Sequence, residues 1–331
     1  MRLTLISYGL LACFVVYVWS ANHEFRWPWA HTVWHEQAVI KDPSGRAVDI
    51  HDLTFVDARR GWAVGERGTI LATGDGGNTW TPQNAGTSNA LRSVDFIDER
   101  RGWAVGAWNT VLSTADGGAT WQPLTPEAAI FPTSVKFVNE RLGWMAGGSG
   151  ELRRTDDGGR TWVQQRVSSS PAAIDSASRD GAISGLAVVD ANYAWIGGVG
   201  GFLAVTEDGG LRWTRFFADI QAVGAVFCID DRTGWYAGEK GRIYRTDNRG
   251  QTWRRQASPT SSAIMDIVFL DRNVGWAVGA ASTILHTTDG GRSWMSEDSG
   301  AVKNLVAVAA IDRGTAWAAG QGGEILRYGG S

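Results

Sequence analysis

Short apolar runs alternate with tight, glycine-rich polar turns along almost the whole chain, and the alternation repeats. In one unit the pattern predicts four strands: Leu91 to Ile97, Trp103 to Gly106, Thr110 to Thr114 and Thr120 to Leu124. Two marks punctuate each unit. The first, [GA]-W-x-x-G, falls at Trp62, Trp103, Trp144, Trp195, Trp235, Trp276 and Trp317, at intervals of 41, 41, 51, 40, 41 and 41 residues. The second, T-x-[DN]-x-G-x-[TSR]-W, ends at Trp80, Trp121, Trp162, Trp213, Trp253 and Trp294, each 18 residues after its partner. Four short strands in a period of about 40 to 45 residues are the sign of a β-propeller. Seven marks predict an all-β chain folded as a seven-bladed β-propeller.

The strands, named a to d within each blade, are joined by three kinds of turn. The a–b turn often reads D-x-R-x-G, as in Asp98 to Gly102 and Asp230 to Gly234. The b–c turn is short and glycine-rich, as in Gly65 to Gly68, Gly238 to Gly241 and Gly320 to Gly323. The c–d turn is the aspartate motif, in which Asp75, Asp116, Asp157, Asp208 and Asp289, or Asn248 in one unit, can accept backbone N–H groups. The glycines there permit positive φ, and the closing Trp offers a flat packing surface. Asn248 keeps an acceptor oxygen, so its blade is expected to form the same turn.

The seventh unit stops at G-E-I-L-R-Y and lacks its fourth strand. Left so, the ring would have unpaired edges. The segment H-T-V-W-H-E-Q around Trp34 resembles T-W-V-Q-Q, so a strand near residues 32–38 is expected to complete the last blade and close the ring. The blades then occupy residues 48–331 within a propeller domain of 22–331. Residues 1–21 are a signal peptide or an N-terminal membrane anchor: Arg2 precedes an apolar run from Leu3 to Trp19. Both a cleaved and a retained leader fit. L-L-A-C at Cys13 resembles a lipoprotein box, though few apolar residues precede it. The expectation is an exported protein, periplasmic or lumenal.

Net charge of −3 argues against a nucleic-acid partner. Basic residues are lopsided, with 27 Arg against 4 Lys, and arginine favours fixed hydrogen bonds. Cys13 and Cys228 form no disulfide framework. One connection is long: Ser168 to Gly181 stretches a period to 51 residues, on the rim that carries the b–c turns. Insertions on one face mark a binding face.

Repeated positions suit scaffolding better than chemistry that is needed once. The motif aspartates therefore read as turn residues. The a–b arginines Arg60, Arg101, Arg141, Arg232, Arg272 and Arg313 read as structural, or else as a ring of positive potential. Residues that break the pattern are the partner-binding candidates. Trp108 lies off both registers in a b–c turn, and Glu66, Arg67, Glu239 and Lys240 occupy equivalent turns, where the plainer reading is solvated charge. His51, Asp52, Arg92, Asp95, Lys136 and Asp266 replace small or apolar residues in the innermost strands, facing the central channel or the neighbouring blade. No metal or nucleophile constellation stands out, and no cofactor is expected. His31, His35 and His51 lack ligand spacing, and His286 stands alone.

The aspartate motif is that of the BNR or Asp-box repeat found in sialidases. Paired with G-W-[AVM]-[VA]-G, over about residues 48 to 331, it resembles the photosystem II stability/assembly-factor family of propellers. That resemblance implies a seven-bladed, non-enzymatic assembly factor on the lumenal or periplasmic side, holding membrane-protein subunits. The partner implied is a membrane-protein complex, a photosystem subunit or another membrane assembly, bound by a monomer. The alternatives are a carbohydrate-binding propeller, with Trp108 stacking a sugar, and a sialidase-like glycoside hydrolase. The hydrolase would need an arginine cluster and a tyrosine–glutamate pair. An early R-I-P signature is absent, and Tyr193, Tyr236 and Tyr244 sit near repeat marks, where packing explains them.

Overall fold

The computed structural model describes residues 34–125, 130–167 and 182–329. It contains seven four-stranded antiparallel sheets. Six run in simple sequence order, as in Leu91–Phe96, Gly102–Gly106, Thr110–Thr114 and Gln122–Leu124. The seventh pairs Leu305–Asp312, Thr315–Gly320 and Glu324–Tyr328 with an outer strand from the other end of the chain, Trp34–Val39. The expected closing strand is thus present, shifted by a residue or two. The insertion at Ser168 to Gly181 and the leader lie outside the described residues.

Each junction between neighbouring blades holds its own apolar layer, and seven such clusters close the circle. One ring contact organises four of them. Phe55 stacks on Trp317 of the preceding blade at 3.5 Å and 6°, and Phe96 stacks likewise on Trp62, Phe137 on Trp103 and Phe269 on Trp235. This explains the glycine before the tryptophan. Phe55 pairs across the sheet with Gly61, where a Cβ would lie 2.5 Å from the ring. Where the Phe position is Val188 or Ala310, its cross-strand partner is Ala194 or Ala316. The [GA] of the repeat is a record of which ring lies above it.

The aspartate turns are scaffolding. Thr73 Oγ1 donates to Asp75 Oδ1 at 2.8 Å and accepts Gly77 N, while Asp75 accepts both the N–H and the hydroxyl of Thr79. Hydroxyl and amide donors from Thr120 and from Ser293 hold the Asp116 and Asp289 carboxyls down to about 2. Asn248 builds the same turn with Thr246 and Thr252. On the a–b side, Arg60 reaches Glu99, Arg101 reaches Glu140, Arg272 reaches Asp230 and Arg313 reaches Asp271, each in an adjacent blade. At these positions the arginines form a paired girdle between blades instead of a ring of free positive charge.

Outer strands are joined by a second device. Gln83 donates to Gly117 O and accepts Trp121 Nε1 at 3.1 Å; Gln256 does the same with Gly290 and Trp294. At the ring closure the corresponding residue is Glu297, three positions after Trp294. It accepts Trp34 Nε1 at 2.7 Å and lies 3.0 Å from His286 Nδ1. Trp34, 2% exposed, therefore takes the place of the missing aspartate-motif tryptophan. His286 does not stand alone, as its isolation in sequence suggested. It stacks on Trp276 at 4.6 Å and 3°, in the place held by Phe at four other junctions.

Trp34→Ala empties a buried indole site, and a loss of about 3–5 kcal/mol is expected. Glu297→Ala strands a buried N–H and should destabilise by about 1–3 kcal/mol. Glu297→Gln restores the residue used elsewhere and should come close to wild type in chemical denaturation. Equal losses for the Ala and Gln variants would refute this account of closure.

Candidate functional site

The b–c turns and d–a connections share one rim, as the bonds from Glu66 N to Asp49 O and from Ala107 N to Ala90 O show. Most b–c turns carry a residue with positive φ: Arg67, Trp108 and Asn109, Lys240, Ala281 and Ser282. For a bulky side chain this is an uncommon conformation that neighbours must enforce. Around Trp108 they do. Thr110 N and Oγ1 both bond Ala107 O, Asn89 Nδ2 bonds Thr110 Oγ1, and Asn109 Oδ1 accepts Ile130 N from the next blade. The indole itself is 78% exposed. A fixed backbone thus displays an unpacked tryptophan. Phe131, 56% exposed, lies beside this turn, and its carbonyl accepts Gly148 N from the b–c turn of blade 3.

The charged candidates on the same rim are tied down more than solvated. Arg67 pairs with Asp42, Glu66 lies 3.1 Å from His51 Nε2, and Glu239 Oε1 accepts Gln221 N. Lys240 borders a shallow recess with Arg255, Gln256 and Thr260. The solvated reading of these turns is therefore corrected for Glu66, Arg67 and Glu239: their side chains brace neighbouring turns.

The innermost strands surround a central cavity of about 410 Å³, and His51, Asp52, Arg92, Lys136 and Asp266 all line it. A bulge at the second position of every innermost strand turns His51 and Arg92 out of the regular alternation. The following position reaches sideways. Asp52 accepts Ser93 Oγ and Val94 N from the next blade, and Asp266 accepts Val308 N at 2.8 Å. Asp95 accepts Phe137 N at 2.7 Å and holds Lys136 Nζ at 3.2 Å. The acids are inter-blade ties whose remaining lone pairs face the channel, with Lys136 extending among them. The opposite wall, with Ala187, Ala225, Phe227 and Ala309, is apolar.

Burial drives the electrostatics here. Desolvation, and then the Asp52 charge, push the Asp266 carboxyl up to about 7, against the pull of its backbone N–H donors and Lys136. Asp52 is raised for the same first reason, while Lys136, Ser93 and Val94 oppose it. Burial works against the Lys136 charge, but Asp95 and Asp52 outweigh it and hold the ammonium above the usual lysine range. His51 is lowered by burial, partly offset by Glu66.

The tyrosines that a hydrolase would need are structural. Tyr236 and Tyr244 stack at 4.7 Å, both buried, and Tyr244 OH donates to Asp219; Tyr193 is buried beside Trp195. Among the described residues no group of three or more His, Cys, Asp or Glu is placed to hold a metal. Phe131 and the Glu297–His286 pair were not singled out in the sequence. Phe131 carries no repeat mark, whereas Glu297 could have been found from its register with Gln83 and Gln256.

Fold and rim together define an Asp-box propeller of seven blades with one aromatic-bearing face. The chain belongs to the family described as photosynthesis system II assembly factor YCF48, whose model matches residues 31–129, 126–268 and 255–329. It is similar to the Photosystem II assembly lipoprotein Ycf48 of Synechococcus sp. (strain CC9902), at 30% identity over 76 residues. That match covers 22% of this chain and spans 23% of the relative's length. Two solved structures share the fold. YCF48 bound to D1 peptide is 24% identical with a TM-score of 0.73, covering 91% of this chain and 96% of that one. YCF48 from Cyanidioschyzon merolae is 21% identical with a TM-score of 0.72, covering 89% and 98%.

The raised Asp266 carboxyl gives a signed pH dependence. Its folded value of about 7 lies above the model value of 3.8, so the native state holds a proton that the unfolded chain releases. This contribution to stability is full below about pH 4 and is lost as pH rises through 7. Asp266→Asn should remove that loss, so its melting temperature should gain on wild type between pH 5 and pH 8. A constant difference across that range would contradict the assignment.

Proposed function

We propose that this protein is a non-enzymatic scaffold that holds a segment of a membrane-protein subunit against its b–c rim during assembly. The observation that carries the reading is Trp108, an exposed indole on a braced left-handed turn with Phe131 beside it. Exposed, preorganised aromatics are the residue type that dominates protein interfaces, because they bury large area with little entropy to lose. The family supplies the class of role, assembly, and the relative bound to a D1 peptide supplies a class of ligand: a peptide segment of a membrane protein. Arg92 and His51 at the channel, with Glu66 joining His51 to the rim, lie in the same blades 1 and 2 and add polar contacts at its inner edge.

The same reading places the protein outside the cytoplasm, delivered by residues 1–21 and working as a monomer. A relative that is a lipoprotein supports a membrane-associated life. Trp108 alone would also suit a sugar, so a glycan array is the matching control.

In affinity capture from detergent-solubilised native membranes, wild type is expected to retain an identified integral membrane protein. Trp108→Ala should lower its recovery about tenfold or more, in line with about 1.4 kcal/mol or more for an aromatic hot spot. Thermal stability should be unchanged, since the indole is exposed. Undiminished recovery by the variant would remove Trp108 from the contact, and a glycan-array signal lost with Trp108→Ala would favour the carbohydrate reading.

A further inference from the structure

The ends of the described chain fix which rim the tether leaves from. Trp34 opens the closing strand opposite Tyr328, the last residue of the strand that runs down into the missing aspartate turn. At its other end, Ile40 N bonds Gly323 O on the b–c side. The chain therefore enters the propeller at the Asp-box rim, on the far side of the blade from Trp108. Only fourteen residues, 20–33, separate that point from the apolar run 3–19. Their reach is at most about 50 Å. They include Trp27 and Trp29, a residue type enriched at membrane–water interfaces, within seven residues of Trp34.

A second observation lies on the same rim. Leu211, in the aspartate turn of blade 4, is 83% exposed, the highest value for a large apolar side chain among the described residues. The corresponding positions are Asn78, Ala119, Arg160, Gln251 and Arg292. Charge does not explain the rim's orientation, because several of its a–b arginines are paired with acids of adjacent blades.

We infer that the Asp-box rim faces the lipid surface, with Leu211 against it, and that the b–c rim faces away. A blade of five-residue strands is about 17 Å tall before its turns are added. The partner segment taken at Trp108 is then a loop or tail that stands clear of the bilayer by at least that height, and not the flank of a membrane-embedded helix. The description of this segment rests on the proposed rim function; the orientation does not.

The full-length chain carries a dye on an unnatural side chain at position 211 or at position 282, the latter on the b–c turn of blade 6. It is reconstituted into phosphatidylcholine–phosphatidylglycerol vesicles containing an acceptor-labelled lipid. Energy transfer from position 211 is expected to be about twofold or more that from position 282. Equal transfer, stronger transfer from 282, or failure of the protein to float with the vesicles would each overturn the orientation. No partner is present in this experiment, so its outcome is independent of the membrane capture with Trp108→Ala.

Discussion

The contact between one blade's b-strand tryptophan and the next blade is the constraint on which the rest of this molecule depends. A four-stranded sheet of this size cannot bury both faces alone, so stability comes from stacking neighbours and the stack must close on itself. The buried tryptophans at Trp62, Trp103, Trp144, Trp195, Trp235, Trp276 and Trp317 fill that interface at every junction. What lies on each indole then varies: a phenylalanine in four cases, His286 on Trp276, and the Arg154 guanidinium over Trp144 at 5.5 Å. The indole N–H follows the same logic. Trp62, Trp103 and Trp317 donate to a glycine carbonyl of the next aspartate turn, whereas at Trp235 the carbonyl of Gly290 is taken by Arg245 and Gln256.

Closure makes this arrangement cooperative. The junction between blades 6 and 7 has no stacked phenylalanine, and it is also where the two chain ends meet. Glu297 there replaces a neutral glutamine by a carboxylate with two partners, one of them on the N-terminal strand. A charge-assisted bond is stronger than the neutral one it replaces, which suits a junction held without covalent continuity. Tyr328 adds its ring edge-on to Trp34, Trp276 and His286.

Much of this was legible because a repeat reports each contact several times. The blade count, the strand order, the role of the aspartates and the closing strand at Trp34 all follow from comparing one unit with the next. Register did not reveal partners. His286 looks isolated in sequence because its carboxylate lies eleven residues on and across a strand pair. The paired state of Arg60 and Arg101 depends on acids one blade away, and nothing in a single unit announces it. The channel was half legible: Asp52 and Asp266 stood out as intruders, but their bonds to the next blade's backbone are a product of the bulge and the ring's curvature.

The two rims divide the work between fixed and variable parts. On the Asp-box side, hydrogen bonds recur in nearly identical form from blade to blade, so a change there is felt as lost structure. On the b–c side, each turn has its own side chain held by its own local bonds, so Trp108 can be displayed at one blade without disturbing the other six. The channel charges lie between these regimes, because Asp52, Asp95 and Asp266 join neighbouring blades while still facing solvent. A scaffold needs this separation. The energy that closes the ring is invested where the sequence repeats, and recognition is left to the few positions where it does not.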